Sequence, residues 1–191
     1  EPSRLGNYVI AMEEVPTDDA YTISFTEESN SFESPLSYHP EMMVSLPTVL
    51  ICFKDGALWV HDSETYNNFF GTQYDSEITP VFNENSLDKK QPMGVTEVAN
   101  RVWDCPDIET STNSYGSTKQ RSNLVAQDFK EVESEFVADF LRDSNSQQGL
   151  VEGDFLKGKY VKVKFRAEDA TDLAVLNMLS LKWNNSPLNV R

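Results

Sequence analysis

The sequence predicts a mostly β protein, an antiparallel meander or sandwich, with one short helix; propeller-like blades are an alternative for its N-terminal half. Three observations lead there. Val49–Phe53 and Ala57–Val60 are apolar runs joined by Lys54-Asp55-Gly56. Asp-Gly between two such runs is the strongest short-range hairpin signal, because both residues tolerate the left-handed turn geometry. Lys159–Arg166 alternates Val161, Val163 and Phe165 with Lys162, Lys164 and Arg166, the pattern of a half-buried antiparallel strand. Finally, 39% of the residues are hydrophobic and eleven are Phe, too much core-forming material for a disordered chain.

In chain order, Tyr8–Met12 and Tyr21–Phe25 read as strands separated by the turn-forming cluster Pro16-Thr17-Asp18-Asp19. Thr26–Ser34 reads as a polar connection, and Pro40 keeps Leu36–Val44 from forming a long regular element. After the Asp-Gly hairpin comes a further strand at Ile78–Phe82, then a loop at Asn83–Pro92 and a strand over Val95–Trp103, with Val95, Glu97 and Ala99 set against Thr96, Val98 and Asn100. Glu109–Gln120, rich in Ser, Thr, Asn and Gly, reads as a long loop or an arm that orders on a partner. Gln127–Arg142 is the helix candidate: Phe129, Val132, Phe136 and Phe140 fall on one helical face, and Asp128 with Glu131 matches a capping box. A strand over Glu135–Leu141 is the competing reading. Lys159–Arg166 and Leu173–Trp183 are expected to pair as a second hairpin across the turn Ala167–Asp172. The expected division is a β-meander region, 1–92, and a sandwich-like region, 93–191, which together also suit a single domain.

Sixteen Lys and Arg face thirty-one Asp and Glu, a formal net charge of -15. Such a surface repels phosphates and argues against free nucleic acid as a ligand. No apolar run reaches transmembrane length. The two cysteines do not define a redox compartment; Cys52 suits a buried strand position, Cys105 an irregular segment before Pro106, and a bond between them is not demanded.

Catalytic signals are weak. The two histidines, His39 and His61, and the two cysteines lack the spacing of a structural zinc site. His61-Asp62 has the makings of a base and its orienter, but no marked nucleophile accompanies it. Gly153 and Gly158 suit a turn better than a phosphate loop. Asp104, Asp107 and Glu109 lack the dense pattern and central Gly of a calcium loop. The sequence therefore predicts no enzyme, no cofactor and no metal. Two binding features stand out. Lys157, Lys159, Lys162, Lys164 and Arg166 form a basic strip in an acidic chain, suited to docking an acidic patch or to guarding a strand edge. Tyr66, Phe69 and Phe70, with Tyr74 and the amides of Asn67, Asn68 and Gln73, suit an interface, a sugar-binding face or a core.

A set of segments also resembles a known arrangement: 24–28 (SFTEE), 37–41 (SYHPE), 53–61 (FKDGALWVH), 66–71 (YNNFFG), 122–124 (SNL) with 128–129 (DF), 140–145 (FLRDSN), 156–160 (LKGKY) and 185–189 (NSPLN). Together they resemble the C-terminal region of muzzle or tail-hub proteins of short-tailed, crAss-like phages of Bacteroidetes. The likeness extends from Tyr21 onward. It implies a virion structural protein that forms a ring with copies of itself and other tail proteins, on the path by which DNA leaves and without gripping that DNA. It implies no enzyme activity. Such proteins are usually much longer, so a fragment, a cleavage product or a reduced version is expected, in keeping with a start at Glu1. A secreted β-sandwich that binds glycan through Tyr66, Phe69, Phe70 or an exposed Trp is the alternative.

Overall fold

The structure, a computed structural model, describes residues 7–12, 21–36, 38–61, 65–84, 87–111, 119–145, 153–168 and 172–185. Its backbone is almost wholly strand and turn, and every ladder between the strands is antiparallel. The chain divides into two compact units, Glu1–Thr72 and Gln73–Arg191.

The first unit opens with a three-stranded meander of β1 (Asn7–Met12), β2 (Tyr21–Thr26) and β3 (Ser31–Leu36). Ser31–Ser34, expected to be connection, is therefore strand: the turn is confined to 27–30, where Asn30 takes a φ of 48°. A second three-stranded meander follows, of β4 (Met42–Ser45), β5 (Leu50–Lys54) and β6 (Ala57–Val60). Asp55 and Gly56 between its last two strands have φ of 52° and 74°, the tight turn their dipeptide predicts. The small ladder of β7 (Asn68–Phe69) and β8 (Thr72–Gln73) closes this part of the chain.

The second unit is a sandwich. One sheet runs β10 (Val81–Phe82), β16 (Val161–Ala167), β12 (Asp104–Thr110), β13 (Arg121–Leu124), with β9 (Ser76–Ile78) also pairing β16. The other runs β14 (Lys130–Val132), β15 (Glu135–Asp139), β11 (Lys90–Ala99), β17 (Leu176–Asn185). Val95 and Ala138 of one sheet meet Cys105, Ile108, Leu124, Val161, Val163 and Phe165 of the other in one continuous core. The alternation read in Lys159–Arg166 is the observed burial pattern of β16.

Four further expectations are corrected. The helix over Gln127–Arg142 is absent: only a single 3-10 turn, Ala126–Asp128, forms there, and β14 and β15 then make a hairpin. Asp128 does cap, but it accepts the Val125 N–H at 2.9 Å within that one turn. Glu133 and Ser134 take φ of 52° and 68°, so the chain reverses where a helix would continue. The expected hairpin of the last two long strands is also absent. Both neighbours of β16 are already occupied, by β12 on one side and by β9 and β10 on the other, so β17 pairs with β11 in the opposite sheet. Asn100 steers it there: its Nδ2 donates to the Leu173 carbonyl at 2.7 Å and its Oδ1 accepts the Val175 N–H at 2.9 Å. Lys90–Pro92 belongs to β11 rather than to a loop, with a register shift between Pro92 and Gly94 that absorbs the proline. Cys105 lies in β12, whose own shift between Cys105 and Ile108 accommodates Pro106.

Candidate binding surfaces

The first unit holds an aromatic cluster. Cys52 and Trp59 sit opposite each other on one face of the β4–β5–β6 sheet. Trp59 meets Phe70 edge to face at 5.9 Å, and Tyr38 stacks on Phe69 at 5.0 Å with 14° between the rings. Tyr38 also lies 4.7 Å from the His61 ring. Burial, with the Cys52 thiol beside it, pushes the Tyr38 phenol up. Burial also pushes the Cys52 thiol up and the His61 imidazole down, so His61 is neutral at pH 7.

These rings back a cavity of about 460 Å³, lined by Trp59, His61, Tyr66, Asn67, Asn68 and Phe70 among others. Its rim is built at a conformational cost. Asn67, Phe70 and Gly71 have φ of 54°, 53° and 79°, and an aromatic residue in that region is a genuine outlier. At Gly71 an added Cβ would stand 3.1 Å from the Trp59 ring, so the turn is pressed against the indole. Trp59 Nε1 is sealed from solvent and has no acceptor among the described residues.

The opposite face of the same sheet is different. The register sets Met42, Phe53 and Leu58 in one row and Val44, Ile51 and Val60 in the next. All six side chains therefore share one face, and all are apolar. Met42, Leu58 and Val60 are 53%, 57% and 55% exposed and Val44 39%. Soluble proteins rarely leave such a contiguous face open unless it meets a partner.

The basic strip lies elsewhere, on the second unit. Lys162, Lys164 and Arg166 project from the outer face of β16, an interior strand of its sheet and not an edge. Lys164 pairs with Glu77 at 2.7 Å, and Arg166 is shared among Asp75, Asp104 and Glu168 at 3.7 to 3.9 Å. Glu109, opposite Lys162, is held by Lys119 at 2.6 Å and Arg121 at 2.8 Å, which draws its carboxyl below the usual range. Lys157, Lys159 and Lys162 thus remain as the strip's cations without an ion-pair partner among the described residues. Most of the expected arm, 112–118, lies outside the described residues, as do Asp62 and the turn residues 169–171.

The acids weighed as calcium ligands are engaged by these cations, Asp107 with Arg121 at 3.7 Å. Among the described residues no group of three or more His, Cys, Asp or Glu is placed to hold a metal ion. Both cysteines are buried free thiols. Trp103 is buried in the sandwich core, so its ring is not an exposed platform. Among the described residues no helix is long and apolar enough to cross a membrane.

Sequence reading missed two features of these surfaces. Tyr38, the centre of the aromatic cluster, is distant in sequence from Phe69 and carries no local signal. The apolar face did carry one: 49–53 and 57–60 are apolar at nearly every position, the pattern of strands covered on both sides. No protein-family model matches the chain, and no curated protein matches it.

Proposed function

We propose that this chain is a non-catalytic structural subunit of a virion tail, of the muzzle or tail-hub kind. It assembles with copies of itself and with other tail proteins into a ring on the DNA exit path. The virion setting rests on the resemblance of its sequence segments. The observation that carries the assembly role is the open apolar face formed by Met42, Val44, Ile51, Phe53, Leu58 and Val60.

Magnitudes indicate what kind of assembly that face supports. Burying each half-exposed aliphatic side chain contributes about 1 kcal/mol. Met42, Val44, Leu58 and Val60 together then contribute about 4 kcal/mol per subunit. Association costs roughly 4–15 kcal/mol in lost freedom, so one such contact holds a pair weakly. A closed ring, in which every subunit makes two contacts, makes assembly cooperative. The net charge of -15 suits a wall along which DNA slides without being gripped. Native mass spectrometry and negative-stain imaging of the full chain at high concentration test the reading. Rings or defined oligomers are expected, dispersed by a Val44→Lys, Leu58→Lys double variant. A strict monomer at every concentration, with no affinity for tail proteins, overturns it.

A further inference from the structure

We propose that the aromatic cavity of the first unit is a binding site for an uncharged pyranose ring, with Tyr66 as its stacking platform and Asn67 and Asn68 as its hydroxyl-reading amides. The site does not depend on the assembly role. Its cavity, about 460 Å³, falls within the roughly 300–1,000 Å³ of small-molecule pockets.

The lining selects the ligand. Tyr66, Trp59 and Phe70 line the cavity together with Asn67, Asn68 and Thr65. A sugar ring presents the complementary surface: one apolar face of C–H groups for stacking and an equator of hydroxyls for amides. An anionic ligand finds no Lys or Arg among the described lining residues, and His61 is neutral there at pH 7. Tyr66, at 44% exposure, keeps its ring within reach of a ligand.

The wall behind the ligand is fixed in advance. Phe70 is braced edge-on by Trp59 and by Tyr38, while Phe69 is stacked on Tyr38. Preorganised rings lose little freedom when a ligand arrives. The fold also concentrates its local costs here. A left-handed aromatic at Phe70 and a sealed indole donor at Trp59, without an acceptor among the described residues, occur in one small site. Such costs gather where a surface is shaped for something other than stability.

Saturation-transfer NMR on the full chain tests this, using methyl glucoside, methyl galactoside, methyl mannoside and N-acetylglucosamine, with sialic acid and AMP as charged controls. Irradiating the aromatic protons is expected to transfer saturation to the ring C–H protons of at least one neutral sugar and to neither control. Tyr66→Ala truncates a ring that is 44% exposed, and far-UV circular dichroism checks that the fold is retained. It is expected to weaken binding about tenfold, the scale of one stacking contact. Asn68→Ala reports separately on the amides. The proposal is overturned by no transfer to any neutral sugar, by stronger transfer to the charged controls, or by binding that both variants leave unchanged. Oligomer mass measured on the same variants separates this outcome from the assembly reading.

Discussion

Glu97 is a wholly buried acid whose Oε2 accepts the Trp103 N–H at 3.0 Å, while its Oε1 has no partner among the described residues. Burial, reinforced by the charge of Asp104 and opposed by the Trp103 hydrogen bond, raises its pKa from 4.5 to about 7. A carboxyl raised in the folded state binds a proton that the unfolded chain releases, so its contribution falls as pH rises between those two values. Above pH 7 the full cost is present, about 3 kcal/mol. Glu97→Gln keeps an acceptor for Trp103 and removes the ionisation. Denaturant titrations at several pH values should therefore find variant and parent equal near pH 4.5, with the variant increasingly more stable towards pH 8. Parallel curves would refute this. His61, whose lowered pKa makes stability rise with pH below its usual value, cancels in that difference. The inward position of Glu97 was legible from its phase with Val95; its buried, half-satisfied state was not, because it depends on Trp103 and Asp104 coming round the strand end.

Two glycines show different physics at the level of elements. Gly56 closes the β5–β6 turn at positive φ with open space around its absent Cβ, so Gly56→Ala meets only backbone strain, about 1–2 kcal/mol. Gly94 lies in β11, where an added Cβ would stand 2.5 Å from the Ala138 carbonyl oxygen. Gly94→Ala must push β11 and β15 apart, and about 1–3 kcal/mol of destabilisation is expected. Urea midpoints should fall for both variants. Protection of β11–β15 amides from hydrogen exchange should fall locally in Gly94→Ala alone; unchanged protection there would exclude the steric explanation. Legibility followed the same division. The β5–β6 hairpin was readable because Asp55-Gly56 writes its turn into the sequence. The β14–β15 hairpin was not, because Glu133-Ser134 carries no such signature and the spacing of Phe129, Val132, Phe136 and Phe140 imitates a helix. Phe136 and Phe140 pack on the sandwich core, and that long-range packing decides the conformation. The long strands β16 and β17 were likewise readable where their pairing was not, since that depends on β9, β10 and β12 flanking β16 and on Asn100 holding the approach to β17.

At the scale of the whole molecule, the two units are built on different foundations. The second has a continuous core that includes Ile108, Leu124, Val161, Val163 and Phe165, all wholly buried. Among the described residues, the first unit relies on a few buried ones such as Thr22, Pro40 and Cys52, on stacked aromatics, and on a sheet with one apolar face open. Separate cores unfold as separate cooperative units, and the one with less burial opens first. Calorimetry of the full chain should show two transitions. Leu124→Ala, expected to cost about 2–5 kcal/mol, should lower only the upper one. Assembly through the apolar face adds a further requirement, because a contact made only by the folded form stabilises it by mass action. The lower transition should therefore climb as protein concentration rises while the upper one stays in place. Leu58→Lys should abolish that climb, and at dilution, where the face is open to water anyway, should leave the lower transition near its parental temperature. A lower transition independent of concentration would mean that the β4–β5–β6 face meets no copy of itself. A climb that survives Leu58→Lys would place the contact on another surface of the first unit.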